Sequence, residues 1–272
     1  MMSLVRNELM KIFSKKSSWI YMIAIFTVLL GGATIYYILL KKFPEMSNGS
    51  PTTWTYMNTV MLGVSTLVTL FTVIVCSANV SAEFASGTIK QLLIRPYPRW
   101  KILLSKYIAV TIYSMLLLLT LVISGYLIGL IFFGAGGYNA TFEEFSLTGT
   151  FEGVIGTQVM KKILLFLPSL FIITTISFML STLFKSQALA VGVGVFVLFF
   201  NSTIGGILYF LMEKFTWTKY LIFSHLDLSI YAIQDTIAPG VTLGFSSILL
   251  VAYYIVFMAI TFIFFQKRDI SF

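Results

Sequence analysis

Six uninterrupted apolar runs decide what this chain can become. They cover about residues 20–40, 60–80, 107–133, 163–184, 188–210 and 241–265, and none holds an Asp, Glu, Lys or Arg in its interior. A bilayer core is about 30 Å thick, and a helix rising 1.5 Å per residue needs about 20 residues to cross it. Each run is long enough. With no water to satisfy backbone N–H and C=O groups in lipid, such runs form helices, because a helix closes its own hydrogen bonds. The expected fold is therefore an all-α membrane protein of six transmembrane helices, in which residues 1–272 form a single transmembrane domain.

Composition agrees. Of 272 residues 58% are hydrophobic and 10% charged, where a soluble domain carries about 25% charged residues. The net charge is +8. In a soluble protein that would suggest nucleic acid, but here the basic residues flank apolar spans, where they orient the chain against anionic lipid. No nucleic-acid partner is expected.

Placing both termini in the cytoplasm puts Arg6, Lys11, Lys15, Lys16, Lys90, Arg95, Arg99, Lys101, Lys106, Lys185, Lys267 and Arg268 inside, twelve of the eighteen basic residues. Only three of the ten acids, Glu8, Glu83 and Asp269, share that side. The inside is then strongly positive and the outside nearly neutral, as the positive-inside rule requires. Lys11, Lys15 and Lys16 precede a first run too long for a typical signal-peptide core, so it is read as a retained helix.

Three segments stand out for function. Within residues 2–14, Leu4, Val5, Leu9, Ile12 and Phe13 fall on one side of a helix, and Arg6, Asn7, Glu8, Lys11 and Ser14 on the other. That pattern suits an N-terminal interfacial helix. Between the second and third runs, at about 81–106, Ser86 reads as a helix N-cap. Ile89, Leu92 and Leu93 follow at helical spacing, and Pro96 and Pro98 stop the helix. The resulting short amphipathic helix rests either on lipid or on a partner protein, and docking is the preferred reading. Glu83, close to lipid, is either hydrated, bonded to nearby backbone N–H groups, or paired with Arg or Lys. Within the spans, Gly125 and Gly129 form a G-x-x-x-G notch for close helix packing, Pro168 interrupts the fourth run, and Asn79 and Asn201 can bond between helices. His225 and Asp227 are read as a surface or re-entrant loop on the outer side.

No catalytic motif and no metal-ligand cluster is present in the sequence. There is no G-x-x-x-x-G-K-[ST] phosphate-binding loop, so any uphill transport draws its energy from another subunit. The span interiors also lack the ionisable residue that a proton-coupled carrier usually needs.

Taken together, the N-terminal L-V-R-N-E-L-M-K-I-F-S-K-K, the stretch from Glu83 through Gly87–Thr88, Leu92–Leu93, Pro96, Arg99 and Lys106, and the C-terminal F-F-Q-K-R-D-I resemble ABC-2 type transporter permeases, in the group that includes bacitracin- and lantibiotic-resistance exporters. Pro98 departs from the family pattern, which often has serine there. The resemblance covers the whole chain. It implies a non-catalytic permease subunit of an ATP-driven exporter in the bacterial plasma membrane, carrying hydrophobic or antimicrobial peptides or drugs. The chain would bind no cofactor. ATP and Mg would sit in a partner cytoplasmic ABC ATPase, and a second permease copy or a sister chain would complete the path. The coupling helix maps to about residues 86–95, with Glu83, Ser86, Gly87, Thr88, Ile89, Leu92, Leu93, Pro96 and Arg99 as coupling or docking residues. The alternative is an uncoupled channel or a secondary transporter.

Overall fold

A computed structural model of the chain describes residues 1–43, 51–89, 97–146 and 149–268. The elements in order are α1 (Met2–Ser14), α2 (Lys16–Lys42), α3 (Thr53–Ala85, containing a π-helical turn at Met57–Met61), α4 (Arg99–Phe133), β1 (Thr141–Ser146), β2 (Gly149–Val154), α5 (Ile155–Leu183), α6 (Gln187–Lys214), β3 (Thr236–Ala238), β4 (Val241–Thr242) and α7 (Leu243–Lys267). Short 3-10 turns at Thr216–Tyr220, Ile222–His225 and Leu228–Ala232 join α6 to β3. Among the described residues six helices, α2 to α7, are long and apolar enough to span a membrane. This is a multi-pass membrane protein.

The helices outrun the apolar runs. The 35 residues of α4 extend about 52 Å at 1.5 Å each. Its first two turns, from Arg99 to Lys106, are helix where the sequence suggested a connecting segment. Likewise α5 begins at Ile155, so Lys161 and Lys162 are helical. The expected all-α chain also carries two small antiparallel hairpins, β1–β2 and β3–β4. In the first, β2 opens on Gly149, whose φ of +135° disfavours any residue with a Cβ.

In lipid, apolar contact alone does not drive helix association, so close packing and hydroxyl bonds must do so. Three glycines face the start of α3, two of them at its π turn. A Cβ on Gly32 of α2 would stand 2.6 Å from Val60 Cγ1, one on Gly125 of α4 2.9 Å from Met61, and one on Gly129 2.8 Å from Thr53 Cγ2. The widened turn fits where both neighbours lack side chains. Lower down, Gly194 of α6 faces Val73 and Ser77 of α3. Hydroxyls stitch the rest. Tyr56 donates to the Leu29 carbonyl (2.9 Å), Tyr113 donates to the Ser18 carbonyl (2.9 Å), and Tyr107 bonds Thr175 (2.9 Å). Outward residues such as Ile23, Ile131 and Ile248 are exposed, as lipid-facing residues should be.

Asn79 and Asn201 were expected to bond between helices. Instead, the amide oxygen of each is buried with no hydrogen-bond partner.

His225 is not on a surface loop. It is fully buried, with Nε2 2.8 Å from the Lys219 carbonyl and Nδ1 2.7 Å from Ser246 Oγ. A carbonyl only accepts, so Nε2 carries the proton and Nδ1 accepts from Ser246. Ser246 in turn bonds Tyr231 (2.6 Å). This ring ties the outer turns to the start of α7. Burial pushes the imidazole below its ordinary value, against a weaker opposing pull from the Lys219 carbonyl. The folded state therefore holds fewer protons than the unfolded one just below pH 6.5. Stability contributed by this site is full above that pH and is lost as pH falls. His225 is the chain's single histidine, so the expected result is specific. The unfolding temperature in detergent should fall from pH 7 to pH 5.5 in the wild type, and fall less in His225→Gln.

Candidate functional site

Both described chain ends meet at the basic end of the bundle. α1 breaks at Lys15, whose ψ of 127° leaves the helical region. The corner is pinned by Ser18 Oγ donating to the Ile12 carbonyl (2.6 Å) and Trp19 Nε1 donating to the Phe13 carbonyl (3.0 Å). The amphipathic pattern of α1 is satisfied largely by protein. Leu4, Val5 and Ile12 are buried, and Leu9 and Phe13 pack on the core. One residue of its polar side goes inward with them: Glu8 is 4% exposed.

Glu8 there meets α3 and α4. Lys106 Nζ lies 2.8 Å from Glu8 Oε2 and 2.7 Å from Glu83 Oε1, and Lys11 Nζ lies 2.7 Å from Glu8 Oε1 and 3.0 Å from Glu83 Oε1. The Lys106 side chain is 1% exposed and that of Lys11 41%. Two carboxylates and two ammoniums thus form a neutral quartet, inner side dry, outer side wet. Burial raises the Glu8 carboxyl, but Lys106 and Lys11 together override it and hold it below the usual carboxylate range. Burial likewise lowers Lys11, and Glu8 and Glu83 reverse it to a net rise. Glu83 is therefore paired. One of its oxygens, Oε2, is buried without a partner.

The quartet brackets the segment expected to couple. α3 ends at Ala85, two residues past Glu83, and Ser86 is the C-cap of α3, not the N-cap of a following helix. Its amide donates to the Ala82 carbonyl and its hydroxyl lies 2.9 Å from Thr88 Oγ1. Gly87 follows with φ +73°, the left-handed residue that commonly ends a helix. Serine followed by glycine supports either kind of cap, and the left-handed Gly87 selects the C-terminal one. Ser86, Gly87 and Thr88 are exposed, whereas Ile89 is buried in the core. Leu92, Leu93 and Pro96 lie outside the described residues. Arg99, at the first turn of α4, donates to the carbonyls of Gln266 (3.3 Å) and Arg268 (3.1 Å). Arg268 lies 4.1 Å over the Phe84 ring and donates to the Thr182 carbonyl (2.6 Å). Among the residues expected to act here, Glu83 and Arg99 thus stitch helix ends together, and Ser86 to Thr88 form an exposed knuckle between them.

Sequence reasoning grouped Glu8 and Lys11 with a solvated face and did not pair them with Lys106. The available signal was an acid in an otherwise basic helix, matched by a lysine just before the third run. Among the described residues no group of three or more His, Cys, Asp or Glu is arranged to hold a metal.

A second ionic cluster sits at the opposite end. Lys162 of α5, 8% exposed, lies 2.6 Å from Glu144 Oε2 on β1, and donates to Asn58 Oδ1 in the π turn (3.1 Å).

Comparison with known proteins fits this chain at nearly full length. A family model described as a protein of unknown function (DUF2705) matches residues 19–271. The chain belongs to the DUF2705 family. Bacillus subtilis (strain 168) has two proteins similar to this DUF2705 chain. YhcI, described as an uncharacterized protein, is 37% identical over 226 residues, covering 81% of this chain and 70% of its own. YdbK, described as an uncharacterized membrane protein, is 29% identical over 262 residues, covering 96% of this chain and 99% of its own.

Proposed function

We propose that this DUF2705 chain is the permease subunit of an ATP-driven exporter in the bacterial plasma membrane, working with a separate cytoplasmic ATPase and a second permease chain. The observation that carries the reading is the buried quartet of Glu8, Lys11, Glu83 and Lys106. It fastens three helices at one point, and two of them, α3 and α4, are the arms on either side of the 86–98 segment. A force applied to that segment therefore reaches both spans and α1 together, because hydrogen-bonded ion pairs join all three. Coupling by a rigid element with two positions is how a distant motor moves a membrane helix. The Ser86–Thr88 knuckle is exposed, so a docking subunit has access to it.

The ATPase would hold ATP and Mg, and this chain would do no chemistry. Cargo of the hydrophobic or antimicrobial peptide or drug class follows from the resemblance of the sequence to ABC-2 type permeases. The test acts on the docking segment. Replacing both Leu92 and Leu93 with Asp should abolish ATP-driven transport by the co-purified complex, at least tenfold, while its membrane insertion and the quartet remain. Transport at the normal rate would remove the docking role from this segment.

A further inference from the structure

The outer end of the bundle holds a cavity of about 610 Å³ between α3, α5, α6 and the outer turns. We propose that this cavity binds a single-chain amphiphile whose head is a donor-bearing cation, such as a primary ammonium. The argument rests on which of its polar groups are already committed. Lys162 gives its three N–H bonds away, two to Glu144 and one to Asn58. Wall hydroxyls bond their own helices: Ser65 to the Leu62 carbonyl, Thr69 to Thr66, Ser169 to Leu165. These four donors are thus engaged.

One acceptor has capacity to spare. Asn201 lines the cavity, but its Oδ1 is buried away from water-sized space. Asp227, an exposed residue at the rim of the wall, accepts from the Ser229 amide and hydroxyl through Oδ1. Among the described residues no Lys, Arg or His pairs with its carboxylate. With Glu144 neutralised by Lys162, Asp227 leaves the cavity one net negative charge. A ligand suited to it must bring hydrogen-bond donors and a positive charge. An anionic head would meet no free cation and would face Asp227. Phe166, Leu198 and Phe223 supply apolar wall for a tail and aromatic faces for the cation. The volume lies in the 300–1,000 Å³ range of small-molecule sites, roughly, which favours one chain over a long peptide.

As a statement about binding this stands by itself. As a statement about cargo it rests on the permease reading above. The test uses the full chain in nanodiscs of zwitterionic lipid, without any ATPase, and radiolabelled dodecylamine, dodecyl sulfate and dodecanol as probes. Saturable binding of the amine, about tenfold or more tighter than the sulfate, is the expected result. Asp227→Asn should weaken it by a similar factor, because the amide still accepts from Ser229 and only the charge is lost. Leu198→Trp, which fills the wall, should remove the saturable component. Equal binding of amine and sulfate, an unchanged affinity in Asp227→Asn, or no saturable amine binding would overturn the proposal. None of these results bears on ATP coupling, so the permease reading would be tested separately by ATP-dependent movement of the bound amine.

Discussion

Replacing Lys106 with alanine should cost about 3–5 kcal/mol of stability, the largest single-residue effect in the chain. The ammonium is 1% exposed and touches one oxygen each of Glu8 and Glu83. Removing it leaves two carboxylates close together with only Lys11 between them. Lys11 is 41% exposed and already shares itself between Glu8 Oε1 and Glu83 Oε1. It does not reach Glu8 Oε2, which Lys106 alone satisfies. A buried carboxylate oxygen stripped of its partner is costlier than a pair never built. Accordingly, Glu8→Gln combined with Lys106→Met should be more stable than Lys106→Ala alone. Chemical unfolding in detergent, run as a double-mutant cycle, gives both numbers. A loss below about 1 kcal/mol for Lys106→Ala would mean that the quartet behaves like a hydrated surface pair. The pH dependence has a definite sign. Glu8 is held below its ordinary carboxylate value, so its contribution is present above that value and lost as pH falls below it.

Gly129→Leu is the second large effect, at about 1–3 kcal/mol of destabilisation from overpacking. A Cβ at Gly129 would stand 2.8 Å from Thr53 Cγ2, 3.1 Å from Tyr56 and 3.4 Å from the backbone of Thr53. Thr53 cannot turn away cheaply, because its hydroxyl donates to the Gly134 carbonyl at 2.6 Å. Tyr56 is held by its bond to the Leu29 carbonyl. Gly31→Leu and Gly192→Leu are the controls. A Cβ there meets nothing within 4 Å, so both should stay within about 0.5 kcal/mol of the wild type. The G-x-x-x-G of α4 thus serves contacts inside one chain. Equal losses at Gly129 and Gly31 would show that the notch is not what limits packing.

What was legible in the sequence follows from the solvent. Lipid demands about 20 apolar residues per span and a helix for each, so the six runs announced six helices. The amphipathic N-terminus announced α1 for a similar reason, since its side chains sort by helical period. Partner choice was not legible. Glu83 read as either hydrated or paired, and nothing local could select Lys106, 23 positions on, or Lys11 in α1. That selection needs the extra turns of α4 before its apolar run. Lys162 looked like an ordinary flank. Its burial depends on a π turn that aims Asn58 inward and on a hairpin that delivers Glu144, and neither leaves a periodic signature. Ser86 shows a different limit: the same residue caps either end of a helix, and the left-handed Gly87 settled which.

The most direct measurement is transport in liposomes by this chain alone and by the chain co-reconstituted with the P-loop ATPase proposed as its partner, with and without ATP. Uphill movement of an amphipathic cargo only when the ATPase and ATP are both present is the expected result. Equally fast uphill movement by this chain alone, driven by an ion gradient, would contradict a bundle that draws its power through the segment between α3 and α4.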